Sequence, residues 1–374
     1  GYNIEVFSFE IDLGRSQPEL IDPKNSNIYP EWFNVHKSLI KHFPYISSKL
    51  QRKLEKKFDI MIVSGTRGLL AARKFNLPKI LLAIGGEVSE APFPFAGRWR
   101  GVDAFIYRMI RWPFARNSLK KMDFIIENYS PNLVCLKKLG LIHKRSTLPI
   151  AEDIESNKKN IDFDLLNDLE KKYVSYEKVF LFLTRLNFIS PKDPAYKGSD
   201  RFLKAAKEII NELKESKIRL IIGTHGHDVM QFMNLASKEG LDEFIDWVPH
   251  LNYKSLLTYL SLSKAVLFSK FGESLNILTG IDRDAISIGT VTVSSFDPDL
   301  IVEMYGSKPP FFRATSVSDI KLRMREVTGL QDNEIQELKK EIQNFGINYL
   351  DYQHILPRYE NLFNSLIQNK IKVS

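Results

Sequence analysis

Cysteine is nearly absent. The 374 residues hold one, Cys135, which excludes an internal disulfide and any zinc site built on several thiolates. Long apolar runs are absent too: no stretch approaches the roughly 18–20 residues that a bilayer-spanning helix needs. No signal peptide is visible, no short repeat recurs, and no low-complexity tract interrupts the chain. A lone thiol and no visible leader fit a reducing, cytoplasmic compartment. What remains is 44% hydrophobic and 26% charged, the balance of a globular protein. The length favours two domains over one.

The net charge of +8 is unevenly placed. Residues 1–150 carry 24 Lys/Arg against 13 Asp/Glu, a surplus of +11, whereas the rest carry 29 against 32, or −3. A codon bias toward lysine gives such a surplus. So does a lobe that faces an anionic partner: nucleic acid, an anionic membrane or a phosphorylated substrate. No recognised nucleic-acid module is present, so nucleic acid is not expected as a partner. The most basic stretch is RWRGVDAFIYRMIRWPFARNSLKK, residues 98–121, with seven Lys/Arg and one acid, Asp103. Trp99, Phe105, Tyr107, Trp112 and Phe114 are interleaved. Basic residues among Trp and Phe suit the surface of an anionic membrane. A core helix whose arginines reach out to solvent has the same composition.

Short apolar runs alternate with amphipathic ones. IEVFSF (4–9), FDIMIVS (58–64), KILLAIG (79–85) and DFIIENY (123–129) read as buried strands, with helical patterns such as Gly68–Phe75 and Leu133–Leu139 between them. The pattern restarts with KVFLFLT (178–184), IRLIIG (218–223), FIDWV (244–248), KAVLFS (264–269) and TVTVSS (290–295). Continuous apolar strands separated by helices indicate parallel sheets covered on both faces. The helix after Lys197 puts Phe202, Ala206, Ile209 and Leu213 on one face, with Ser199 or Asp200 as N-cap. The polar stretch LPIAEDIESNKKN (148–160) reads as the hinge. Near the end, Ile335, Leu338, Ile342 and Phe345 mark a helix that stops at Gly346. These features predict two doubly wound α/β domains with a cleft between them.

Ligands of open α/β sheets bind at the carboxyl ends of the strands. Arg185 sits at such an end, after VFLFL, and Lys197 precedes a helix start. Two cations and a helix N-terminus suit a diphosphate, Arg by bidentate hydrogen bonds and Lys as a mobile point charge. Further on, SKFGESLNILTGIDRDAISIGTVTVSS (269–295) brings Glu273 and Asp284 to the same sheet edge. Carboxylates there can accept hydrogen bonds from vicinal hydroxyls of a ribose or hexose. Alternatively, Asp284 only caps the helix. Gly85-Gly86-Glu87 lets backbone approach a ligand and offers a carboxylate to acceptor hydroxyls, or forms a tight turn. His225, His227 and Asp228 look like metal ligands but lack a third spaced partner, so no metal is expected. Asp299, in Asp297-Pro298-Asp299, reads as an N-cap.

The second half resembles the family-4 glycosyltransferases of the GT-B fold, most specifically over residues 180–305. The family's Gly-Arg-Leu turn and following Lys-Gly correspond to Thr184-Arg185-Leu186 and Lys197-Gly198, and its next glycine-containing turn to Gly223. Its Glu-Ala-Met-Ala-x-Gly-x-Pro-Val-Val run corresponds to Asp284-Ala285-Ile286-Ser287-Ile288-Gly289-Thr290-Val291-Thr292-Val293. The resemblance implies an N-terminal acceptor domain (1–150), a donor domain (151–345) and a C-terminal helix (346–374) returning to the first. It implies transfer of a sugar from a nucleotide-sugar to a hydroxyl of a glycan or lipid-linked glycan, with retention and without a metal, on the inner face of a membrane. Arg185, Lys197 and Glu273 would be catalytic. Gly223, Ser274, Leu275, Asn276 and Asp284 would bind the donor, and Gly85, Gly86 and Glu87 the acceptor.

Several positions depart from the pattern. Thr184 stands where the family has Gly, Asp284 where it has Glu, and Val291 where it has Pro. The interval from Glu273 to Asp284 is eleven residues where the family has eight, which gives Asn276 a claim to the first acidic position. A histidine of some relatives is missing after KILLAIG. GYNIEVFSFE resembles the second strand of the family, not its first. These departures keep a second expectation open: a glycan- or nucleotide-binding protein on the same fold without turnover.

Overall fold

A computed structural model describes residues 48–83, 86–93, 102–127, 130–189, 196–213, 217–271 and 278–373. The chain divides into two compact units, Gly1–Ser146 with Asn361–Ser374, and Thr147–Glu360.

In unit 1, α1 (Ser48–Lys57), β1 (Met61–Ser64), α2 (Gly65–Ala72), β2 (Lys79–Ala83), α3 (Gly86–Ser89), α4 (Val102–Lys120), β3 (Phe124–Glu127), α5 (Ser130–Leu139) and β4 (Arg145–Ser146) follow one another. The four strands form a parallel sheet in the order β1-β2-β3-β4. Leu69, Leu81, Ala115, Leu119 and Ile125 pack together, all fully buried. The predicted strand at 4–9 lies outside the described residues.

Unit 2 holds α6 (Ile154–Lys159), α7 (Phe163–Tyr173), β5 (Lys178–Phe182), α8 (Ser199–Glu212), β6 (Ile218–Gly223), α9 (Val229–Lys238), β7 (Ile245–Val248), α10 (Tyr253–Leu260), β8 (Ala265–Phe268), α11 (Gly280–Ile288), β9 (Val291–Ser294), α12 (Pro298–Tyr305), β10 (Phe312–Arg313), α13 (Val317–Gly329) and α14 (Asp332–Phe345). A last helix, α15 (Tyr352–Val373), begins here and continues into the residues grouped with unit 1. The six strands are parallel, in the order β10-β9-β8-β5-β6-β7. Alternation along the strands explains their continuous apolar runs. Phe180, Phe182, Leu220, Ile222, Val266 and Phe268 pack on one face with residues of α8, α9 and α13. Val179, Leu181, Ile221, Ala265 and Leu267 pack on the other with α7 and α10. Helices cover both faces, as parallel sheets require.

Three local expectations change. The stretch expected to be an irregular hinge contains α6, whose N-cap Asp153 accepts the Ser156 N–H and which buries Ile154 and Asn157. The N-cap of α8 is Gly198, with φ +71°, not Ser199 or Asp200. The N-cap of α12 is Asp297, which accepts from the Asp299 and Leu300 N–H groups, not Asp299.

Candidate functional site

The strand order of unit 2 reverses direction between β5 and β8, the neighbours from which the sheet winds outward on both sides. At such a switch point the connections leave the sheet in opposite directions and open a crevice beyond the strand ends. Thr184 and Arg185 follow β5 there, and Ser269 and Lys270 follow β8. The Thr184 hydroxyl donates to the Ser269 carbonyl at 3.1 Å. Arg185 is exposed and Lys197 half-buried.

Backbone contacts fix this edge. Lys197 donates its N–H to the Asn187 carbonyl at 3.3 Å and accepts the Phe271 N–H at 2.9 Å. A Cβ on Gly198 would lie 2.0 Å from the Phe271 oxygen, and the residue is left-handed, so only glycine lets α8 start this close to the end of β8. Leu186 donates to the His225 carbonyl at 2.7 Å, and Asp228 donates to the Leu186 carbonyl at 3.0 Å. Asp228 Oδ2 also accepts the N–H groups of Phe188 and Ile189. The loops after β5 and β6 are thus laced together, and the Asp228 carboxylate is committed to that lacing. His227 is exposed. Among the described residues, no group of three His, Cys, Asp or Glu is placed to hold a metal ion.

A small pocket opens beside this edge, lined by Leu183, Gly223, His225, Pro249, His250 and Leu251. The rings of His225 and His250 meet edge to face at 5.0 Å. A Cβ on Gly223 would come within 3.1 Å of His225 Nδ1, so this glycine lets the imidazole close over the strand end. Burial first, and then the charges of His250 and Arg185, hold the His225 imidazole below its usual pKa. This favours the neutral imidazole, and the Arg185 charge it feels links the pocket to the cations.

Charges converge below Arg185. Lys270 is 4% exposed, and Asp282, at the third position of α11, is 1% exposed. Asp282 accepts from the Ser269 hydroxyl at 2.5 Å and from the Thr279 N–H and hydroxyl at 2.8 and 2.7 Å. The Ser294 hydroxyl reaches it at 3.3 Å. Burial, and then the Arg185 charge, lower the Lys197 pKa, while Asp282 opposes them. Burial, and then the Lys197 charge, push Lys270 down to about 8, again opposed by Asp282. A row of cations with one embedded carboxylate favours an anionic ligand.

Asp284 lies further along α11, away from the cap, which is Thr279 with Asp282. It accepts the Tyr253 hydroxyl at 3.0 Å, and the same hydroxyl reaches Asn157 Oδ1 at 2.9 Å. Burial, and then the Glu152 charge, raise its pKa to about 6. Glu152 itself pairs with Arg283 at 2.6 Å.

The structure therefore brings together Arg185, Lys197 and Gly223, and sets Asp284 on the adjoining helix. Glu273, Ser274, Leu275, Asn276 and Gly85 lie outside the described residues. Gly86 opens α3, and Glu87 is 3% exposed, with its carboxylate accepting the Gly65 N–H at 2.9 Å. Lys270, His250 and Tyr253 were not singled out from the sequence. Lys270 carries the same signal as Arg185, a cation directly after an apolar strand. His250 carries none, because its place depends on β7 lying beside β6.

No family model matches the chain, and no curated protein matches it in sequence. Solved structures do match. HepE of Anabaena, in complex with UDP and glucose, superposes with TM-score 0.59 at 11% identity, over 85% of this chain and 82% of the other. Sucrose-phosphate synthase of Thermosynechococcus elongatus gives 0.58 at 10%, over 87% and 81%. TarM of S. aureus, a mutant in complex with fondaparinux, α-GlcNAc-glycerol and UDP, gives 0.57 at 14%, over 84% and 58%. The chain shares the GT-B fold of these proteins, as its sequence motifs imply.

Proposed function

We propose that the chain is a nucleotide-sugar-dependent glycosyltransferase whose donor binds at the switch point of unit 2. The observation that carries this reading is the convergence of Arg185 and Lys197, at the start of α8, beside the pocket of Gly223, His225 and His250. The cations take the diphosphate, the pocket takes the base, and Asp284 takes the ribose hydroxyls. UDP is the favoured nucleotide, because HepE and TarM are solved with it. As the sugar leaves the diphosphate, Arg185 and Lys197 offset the charge that develops on it. The reading uses no metal, since the groups that meet the phosphates are side chains.

In this reading unit 1 serves the acceptor, a hydroxyl of a glycan or lipid-linked glycan, and transfer proceeds with retention. An anionic membrane on the cytoplasmic side is the partner surface for residues 98–121. Residues 98–101 lie outside the described residues; support comes from α4, where Met109, Ile110 and Phe114 are exposed alongside Arg116 and Lys120, and from the exposed Lys121 that follows it. No helix among the described residues is long and apolar enough to cross a membrane.

The test is saturation-transfer NMR with UDP, GDP, ADP and CMP, for the wild type and Arg185→Ala. Transfer to UDP that disappears in the variant is expected; no transfer to any nucleotide from folded protein refutes the donor site. Co-sedimentation with phosphatidylglycerol liposomes tests the surface. Equal binding to phosphatidylcholine alone counts against it.

A further inference from the structure

We propose that Lys270 is a third phosphate-binding cation of the donor site, beside Arg185 and Lys197. The inference rests on the donor reading and adds to it a residue outside the Arg and Lys-Gly motifs.

Position is the first ground. Lys270 follows β8, the strand that pairs with β5 at the switch point. Its backbone is held on both sides. Ser295 donates its N–H to the Lys270 carbonyl at 2.8 Å, and the adjoining Phe271 N–H binds the Lys197 carbonyl at 2.9 Å. The entry to α8, the end of β8 and the end of β9 are thereby joined through two consecutive residues. Lys270 cannot drift away from Lys197 without breaking one of these bonds.

Surroundings are the second ground. The floor of this corner is a polar cluster of Ser269, Ser294 and Asp282, all buried and hydrogen-bonded to one another. Lys270 and Lys197 each feel Asp282 as an attractive charge, and Lys270 feels Lys197 as a repulsive one. A buried lysine held within electrostatic reach of another lysine destabilises the ligand-free fold. A ligand carrying two linked phosphates brings negative charge to both lysines, and the buried setting strengthens each contact it makes.

The ligand chemistry is a diphosphate, supplied by a nucleoside diphosphate or by free pyrophosphate. Isothermal titration of the full chain with UDP, pyrophosphate and uridine separates them. Lys270→Met should weaken UDP at least ~10-fold and leave uridine unchanged, with Lys270→Arg intermediate. A matching loss for pyrophosphate means that the phosphates alone suffice. Loss for UDP without measurable pyrophosphate binding in the wild type means that the nucleoside brings them to Lys270. UDP binding by folded Lys270→Met within twofold of wild type overturns the proposal and leaves the donor reading standing. Equal losses for UDP and uridine also overturn it, since they mark a structural role. Failure of the wild type to bind any nucleoside diphosphate overturns both. If Lys270→Met does not fold, Lys270→Gln gives the same comparison.

Discussion

Removing the Lys270 charge should make the protein more stable while weakening its ligand. The buried ammonium titrates near 8 in the fold, against 10.5 for an ordinary lysine. Below pH 8 the lysine is protonated whether the chain is folded or not, and the fold bears the whole cost of burying it. Between about pH 8 and 10.5 the unfolded chain binds more protons than the folded one, so stability rises with pH. The difference of about 2.5 pH units corresponds to about 3 kcal/mol at pH 7. Lys270→Met keeps a long flexible side chain and removes the charge. At pH 7 it should gain up to about 3 kcal/mol, or roughly 6–12 °C in Tm for a unit of this size. The gain should fall toward zero by about pH 10.5. Lys339 also titrates near 8 and contributes its own rise in stability, so the comparison must be between the two proteins at each pH. Calorimetric melting at several pH values gives it directly. Saturating UDP should narrow the gap, because it stabilises the wild type more. A variant that melts lower than wild type at pH 7, or an advantage that does not shrink with pH, refutes the reasoning.

Three other outcomes follow from the same geometry. Arg185→Ala should lower turnover by roughly 10²–10³-fold with an unchanged melting temperature, because the side chain is exposed; steady-state kinetics and a melt check both halves. Gly198→Ala forces a Cβ to 2.0 Å from a carbonyl oxygen and should cost well over ~2 kcal/mol, whereas Gly306→Ala, also left-handed but with open space around it, should cost only about 1–2 kcal/mol. Equal costs in urea denaturation would show that the contact between Gly198 and Phe271 is not tight. Asp284 ionises only above about pH 6, so uridine affinity should rise between pH 5 and 7 by NMR titration, and this rise should vanish in Asp284→Asn.

The sheets were legible because burial on both faces favours continuous apolar runs, and VFLFL and IRLIIG declare themselves. The two-residue strands β4 and β10 were not, since Arg145-Ser146 and Phe312-Arg313 are too short to show any period. The polar helix α6 hid in the expected hinge for the same reason. Asp297 as the cap of α12 was readable, because a proline at the first helical position points to the residue before it. Gly198 as the cap of α8 was not, because its left-handed backbone answers to Phe271, a residue more than seventy positions away. The site divides similarly. Arg185 and Lys197 follow from where a strand ends and a helix begins. The cage around Asp282 draws on Ser269, Thr279 and Ser294, and only the folded sheet brings them together.

Depressed or raised pKa values do not by themselves mark a site, and unit 2 shows why. Lys339 is shifted as far as Lys270, yet its ammonium donates to the Leu262 and Ser263 carbonyls, and the charge it feels is the opposite one of Glu170. It is a helix-end contact. Asp319 is held down to about 2, first by the Ser316 N–H, as the capping partner of α13. Asp246 also falls to about 2, because hydrogen bonds from Arg219, Tyr173 and Lys172 outweigh its burial. In each of these places the shift traces to burial and to contacts of the local fold. At the switch point, neighbours of like sign add to burial. Lys197 and Lys270 are disfavoured by burial and by neighbours of their own sign, and Asp284 is disfavoured by burial and by Glu152. Two of these groups are cations at the sheet edge, and the third is a carboxylate on the adjoining helix. A ligand that bears phosphates at one end and hydroxyls at the other complements these charges in sign and order, and a nucleoside diphosphate has that shape.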